Sequence, residues 1–498
     1  MKPIFQFLTL LSILLSNFAQ AQNPKYTSPL IPASKLQADL EILQKNLEQV
    51  HAGLYTYTSK EEMDETFQKM KRAIVQPMSK IDFYRFVLPL HNKIRNGHTL
   101  IIPPASWSQA VEIKLPHFPF DIYEHQEKLY VLRNLSENET IQAGDEILEI
   151  NGKNAIEVYQ QLTDSWTKDG DNTTFPARIV SHDFSEFYAH VLGTPDVFTL
   201  KIKQGSQVKN HEVQGLLISE MRKISQERYK HDKRPWYNDV VSPPMSLKIQ
   251  DEIATLTIPS FSIDVIKDSK VDYKDFFQAT FQEIHDKNIQ NLIIDIRGNG
   301  GGHGDVASEV FSYLHDQPVR LIRDIHAITK KIPNKKYYEG GQFFVQMQMN
   351  LALKKVNDKK FVPRPFAAKR NHLSLNDKMP SFPTFNGKLY VLVDGWSFSA
   401  SGMFTSLLKT YNKGIFIGEE AGGNPHTQVG DFEQMLILPN SGTRIRIPLF
   451  FQEMEVNFEN TRHGVIPEHL VKNTIEQELK KEDGVLLWTF DFIKESLE

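Results

Sequence analysis

The chain has no cysteine. That absence removes disulfide scaffolds, thiolate zinc sites, iron–sulfur clusters and cysteine nucleophiles together. It leaves the compartment open, because an oxidising space permits disulfides without requiring them. A charge excess of one sign is also missing. The 57 Lys and Arg stand against 61 Asp and Glu, a formal −4, which does not fit an electrostatic nucleic-acid binder. Low-complexity tracts and internal repeats are absent, and 40% hydrophobic residues with 32 Phe exclude a disordered chain. No H-E-x-x-H occurs, and His303, His426 and His463 lack ligand spacing, so neither a metal site nor a cofactor is assigned. At 498 residues the chain exceeds one ordinary core and divides into several domains.

Only one long apolar run exists, IFQFLTLLSILL after Lys2. It is short for a span of about 20 residues and leads to Ala19-Gln20-Ala21, so residues 1–21 read as a secretory signal cleaved after Ala21 rather than a retained anchor. The mature chain then starts at Gln22 and is exported, to a bacterial periplasm or beyond. No cysteine follows the signal to carry a lipid, and no later stretch suits a membrane span.

Three regions follow. Residues 22–105 read as a helical domain. Leu36, Leu40, Leu43, Leu47 and Val50 form one stripe with a capping box at Ser34 and Gln37. Ser59 and Glu62 cap a second helix with Met63, Phe67, Met70 and Ile74, and a third runs from Lys80 to Arg95. Residues 106–220 turn to short alternating runs around GDEILEING, where Gly144-Asp145 feeds a strand and Asn151-Gly152 makes a hairpin turn before a helix. This segment resembles the core of a PDZ domain, with 163–195 as an elaboration. After a polar connector at 222–236, the region 221–498 alternates strand and helix (IATLTI, NLIIDI, KLYVLV, GIFIGE), which predicts a largely parallel buried sheet. QMLILP and TRIRIPLFF around Asn440-Ser441-Gly442 add an antiparallel hairpin.

Three motifs carry possible chemistry. In NLIIDIRGNGGGHGD the strand runs into Gly298, Gly300, Gly301, Gly302 and Gly304, exposing backbone N–H groups to an anion or oxyanion. It is no dinucleotide fingerprint, since His303 stands where Gly or Ala is required. In DGWSFSASGMF a serine-bearing turn joins a strand to a helix, a place for a nucleophile facing the helix dipole, or simply for an N-cap. The RNGHT segment offers His98 after a helix stop.

Taken in order, GHT, a PDZ-like segment, D-x-R-x-N-x-G-G, S-x-S-A-S and GVIPEH resemble the carboxy-terminal-processing and tricorn-like serine peptidases, the tail-specific protease superfamily, over roughly residues 85–495. The resemblance implies a multidomain α/β fold: a crotonase/ClpP-like core with PDZ-like and N-terminal helical domains. It places the nucleophile on Ser399 and the oxyanion donors on the N–H groups of Gly301 and Ala400. One branch of the family takes its base from a Lys; here that position is Asn424, an amide that cannot accept a serine proton. The other branch uses a histidine, which falls on His98, oriented by a Glu that falls on Glu459, with two extra residues before Gly464-Val465. Gly97 stands where that branch has a Ser, so its contact passes to Thr99 or a water. Asp295 and Arg297 fit the family pattern but read as a pair bracing the loop.

These readings imply a hydrolase acting on a peptide or protein substrate through an acyl-enzyme. Two others remain open at this point: an inactive family member binding a peptide or apolar ligand, and an esterase. Oligomeric state, cleavage specificity and any role of the PDZ-like domain in holding substrate are not legible.

Overall fold

The computed structural model describes residues 26, 28–230, 232, 244–268, 272–340, 342–370 and 373–496; the leader read in 1–21 lies outside them. The molecule is a mixed α/β assembly built around a six-stranded sheet. In spatial order its strands are Ser246–Gln250, Ile253–Thr257, Asn291–Asp295, Lys388–Val393, Ile415–Gly418 and His469–Leu470. The first pair is antiparallel and the rest are parallel, so sequence order and spatial order coincide. Both faces are covered, which is why these strands read as continuous apolar runs. Leu292 and Ile294 pack on one side among Phe277, Phe281 and Phe404. Ile293 turns to the other, against Tyr390, Leu392 and Ile493 of the last helix, Gly484–Glu495.

The amino-terminal helices bury their expected stripes, Leu36 to Val50 on Ala33–Val50 and Met63, Phe67 and Met70 on Lys60–Ala73. Ser59 caps the second helix, accepting from Glu62 N–H at 3.1 Å. Two expectations fail locally. The first helix starts at Ala33 with no side-chain cap, because Pro32, fixed at φ −55°, makes the turn that Ser34 was expected to make. The third helix is broken at Pro89, leaving Lys80–Val87, a 3₁₀ turn Leu88–Leu90 and a short His91–Ile94 that ends on left-handed Arg95. These helices share one continuous apolar cluster with the main sheet.

Between them and the main sheet in sequence, an antiparallel sheet in the order Phe120–His125, Lys128–Asn134, Glu146–Ile150, Val197–Gln204 and Gln207–Gln214 has its own core around Phe118, Phe120 and Phe198. Asn151 and Gly152, both at positive φ, make the hairpin turn, and Asn154 caps helix Ala155–Asp164. The elaboration folds into helices Thr174–His182 and Phe184–Val191. Part of the expected connector is helical, within Ile218–Arg228, because Ile218 and Met221 find an apolar cluster with Leu216.

One pairing places the site. Strand Leu100–Ile102, just after His98, adds antiparallel to Arg444–Ile447, which pairs with Gln434–Ile437 as the expected hairpin. The histidine segment is thereby stitched to the far end of the chain.

Candidate active site

Ser399 occupies the turn between strand Lys388–Val393 and helix Ala400–Thr410, at the carboxyl end of the parallel sheet. Its backbone, φ 56° and ψ −119°, is a conformation that costs an L residue about 1–3 kcal/mol and persists only where surroundings enforce it. The side chain does not cap the helix. Its Oγ lies 3.1 Å from His98 Nε2. The neighbouring serines are braces: Ser397 Oγ donates to Ile296 O at 3.0 Å, and Ser401 Oγ to Asn299 O at 2.8 Å. Both bonds tie the serine turn to the glycine loop.

The loop is held from within. Asn299 is fully buried, donates from Nδ2 to Ile258 O at 2.9 Å and accepts on Oδ1 from Gly301 N–H at 2.9 Å. The Gly301 N–H is therefore already engaged. Gly301 itself, at φ 100°, lies so close to the serine turn that a Cβ would stand 2.7 Å from Ser399 Cβ and 2.8 Å from Ala400 N. Gly300 and Gly302 line the cleft. Ala400 N–H opens the helix, where the first amides have no intrahelical acceptor. Asp295 and Arg297 form the expected pair, with Nε to Oδ1 at 2.9 Å and Nη2 to Oδ2 at 2.6 Å, and Arg297 reaches on to Asp483.

His98 is set by a buried polar framework. His91 donates from Nδ1 to Ser165 O at 2.8 Å and accepts on Nε2 from Ile101 N–H at 2.8 Å, so it is a neutral imidazole of fixed tautomer; burial pushes its pKa down to about 4. Thr99 gives its proton to Asn96 Oδ1 at 2.7 Å, so His51 Nε2, 2.7 Å away, donates to the hydroxyl. Thr99 is thus spent on the loop and does not supply the contact that Gly97 lacks. Arg446 Nε donates to His98 O at 3.2 Å, and Gly97 N–H donates to Asp169 Oδ1 at 2.7 Å. Burial, reinforced by the Arg446 charge, pushes the His98 imidazole down to about 3. It is neutral at physiological pH, and its Nε2 faces the serine hydroxyl.

The pair opens on a cleft of about 710 Å³. One wall is aromatic: Phe398 stacks on Phe175 at 4.2 Å and lies 4.7 Å from the His98 ring, with Trp166 and Trp396 beside them. The cleft is also lined by Asp431, which accepts from Gln452 at 2.6 Å, and Glu433, paired with Arg446 at 3.3 Å.

Ser399, His98, Gly301 and Ala400 thus come together from the positions named for them. Glu459 does not join them. Its side chain is exposed and off the cleft, and its carbonyl accepts from His426 Nε2 at 3.0 Å; the two extra residues before Gly464 carry it outward. Asn424 turns its Oδ1 to His426 N–H and Thr427 N–H, at 2.8 and 3.2 Å. Sequence reasoning missed Asp169, Arg446 and the wall from Trp166 and Phe175. The only signal for Asp169 was its turn, Lys168-Asp169-Gly170-Asp171, inside a stretch read as elaboration.

No curated protein sequence matches the chain. Solved structures do. Mature CPAF complexed with lactacystin superposes with TM-score 0.62 at 16% identity, over 93% of this chain and 98% of that one. Mature CPAF gives 0.59 at 15%, over 90% and 94%, and a putative peptidase from Parabacteroides merdae gives 0.44 at 13%, over 93% and 96%. At these identities the two CPAF structures establish a shared fold. Residues 252–469, which hold the glycine loop, the serine turn and the sheet between them, match the family model of peptidase family S41. Over that region the chain is similar to peptidase family S41, a family of serine-type peptidases.

Proposed function

We propose that this protein is an exported serine peptidase in which Ser399 attacks the scissile carbonyl and His98 Nε2 takes the serine proton. The observation that carries the reading is the 3.1 Å approach of Ser399 Oγ to His98 Nε2 in a chain with Asn at the alternative base position. The proton passes from Oγ to Nε2 as the Oγ–carbon bond forms, then from Nε2 to the leaving amine as the C–N bond breaks. Water repeats the cycle on the acyl-enzyme. Ala400 N–H and the dipole of its helix stabilise the oxyanion. Gly301 N–H completes the hole once it shares or releases Asn299 Oδ1. The strained backbone of Ser399 and its uncapped side chain support a nucleophile rather than a helix cap.

Hydrolysis of fluorescently labelled casein tests this. Wild type should release peptides at neutral pH, and Ser399→Ala and His98→Ala should each lower the rate by about 10³-fold or more. A His98→Ala variant as active as wild type would remove the histidine from the base role. Inactivity of all three proteins on several unrelated substrates would favour the ligand-binding reading.

A further inference from the structure

Three buried polar atoms around the Ser399–His98 pair have no hydrogen-bond partner among the described residues: His98 Nδ1, Asp169 Oδ2 and Asn424 Nδ2. They are complementary in kind. When Nε2 accepts from Ser399, the one imidazole proton sits on Nδ1, which is a donor; the carboxylate oxygen is an acceptor; the amide nitrogen is a second donor. Asp169 is 2% exposed and holds the residue before His98, through the Gly97 N–H bond. Asn424 flanks both partners. Its backbone N–H favours the ionised form of Asp169 without making a well-formed bond to it, and a Cβ on adjacent Gly423 would lie 3.2 Å from Ser399 N. Glu459, by contrast, is exposed and remote from the cleft.

We propose that Asp169, and not Glu459, is the carboxylate that positions His98, accepting its Nδ1–H through one bridging water that also takes the Asn424 Nδ2 donor. Such a water accepts twice and donates once to Asp169 Oδ2, the usual complement for a buried water. This rests on the reading of Ser399 and His98 as the reacting pair. Asp169 touches neither substrate nor serine; it acts through the imidazole, fixing the tautomer and favouring the imidazolium that forms in the transition state. It also makes the segment 163–195 part of the catalytic assembly.

Among the described residues, Arg446 faces His98, Tyr57 faces Asp169 with Asp171 and Arg462 beyond it, and His303, Asp431 and Glu433 line the same cleft. Burial pushes Asp169 up to about 6 and Asp431 to about 6. An Asp169 role therefore gives the rate an acid limb near pH 6, where His98 alone would give one far lower.

The experiment is the rate of covalent labelling by a fluorophosphonate from pH 4.5 to 8.5, read by intact mass. Asp169→Asn keeps an acceptor for Gly97 N–H and should label about 100-fold more slowly with the limb near pH 6 abolished. Glu459→Gln should stay within about threefold of wild type, and Asp431→Asn should keep the limb. A proton spectrum of histidine-¹⁵N-labelled protein gives a second readout. The downfield Nδ1–H signal of His98, assigned by its loss in His98→Ala, should be present in wild type at pH 7.5 and fade as pH falls through about 6. Should Asp169→Asn fail to fold, that titration of wild type decides. Asp169→Asn labelling at the wild-type rate with its limb intact, or an Nδ1–H signal unchanged down to pH 4.5, overturns the positioning role and leaves Ser399 and His98 standing. A wild type that does not label at all overturns both readings.

Discussion

Gly301 and Ser399 face each other across less than the width of a methyl group, and that closeness is what a glycine at φ 100° allows. Gly301→Ala adds backbone strain and a Cβ 2.7 Å from Ser399 Cβ, where neither main chain can yield cheaply. Labelling of Ser399 in this variant should fall about 100-fold or more, with a loss of several degrees in Tm. Wild-type labelling would mean the loop does not define the nucleophile's setting. At this scale the sequence was most legible where chemistry and backbone demand coincide. A serine between a strand and a helix, a run of glycines at a strand end and a histidine after a helix stop each leave a local mark. Asp169 leaves only an ordinary turn, because its partner Gly97 is 72 residues away and loop-to-loop contacts have no period to read.

Elements are tied together by a few polar braces, of which Arg297 is the clearest. It pairs with Asp295 at the end of the central strand and with Asp483, which also caps the last helix by accepting from Leu486 N–H at 3.0 Å. Arg297→Ala leaves Asp295, 8% exposed, without its cation and unties the helix from the loop. It should cost on the order of 3 kcal/mol by urea unfolding; a change below about 0.5 kcal/mol would show the brace to be idle. Burial by itself would lower the Arg297 pKa, but the Asp295 and Asp483 carboxylates outweigh it and hold the guanidinium strongly protonated at all accessible pH. Element identity was readable from the apolar stripes and the buried strand runs, since those periods are set by the sheet and helix faces. Element ends were less so: Pro32 and Pro89 overrode a plausible Ser34 cap and a continuous third helix. The pairing of Leu100–Ile102 with Arg444–Ile447, which delivers His98, joins segments more than 340 residues apart and has no sequence mark at all.

Across the whole molecule, the site draws on residues 91–102, 163–182, 295–304 and 396–446, so its integrity follows global stability. That stability should depend on pH in a defined sense. His51, His91 and His117 are pushed by burial down to about 4, and His98 to about 3. Each binds a proton on unfolding once pH drops through the free value near 6.5, so stability is full above that value and lost as pH falls. Asp169 and Asp431, raised to about 6, work oppositely: they are protonated when folded and ionised when unfolded between about pH 4 and 6. At pH 5 the histidines prevail by about two protons, a slope of roughly 2–3 kcal/mol per pH unit. Urea midpoints should therefore fall between pH 7 and 5. A flat or rising midpoint would mean these histidines are not held neutral.

The central claim is that His98 activates Ser399 for nucleophilic attack. Its most direct test is reaction of the folded protein with a fluorophosphonate at pH 7.5, followed by intact mass and peptide mapping. One adduct on Ser399 in wild type, absent from Ser399→Ala and from a folded His98→Ala, is the predicted result. No adduct on well-folded wild type, or an adduct on Ser399 that persists in His98→Ala, would contradict it.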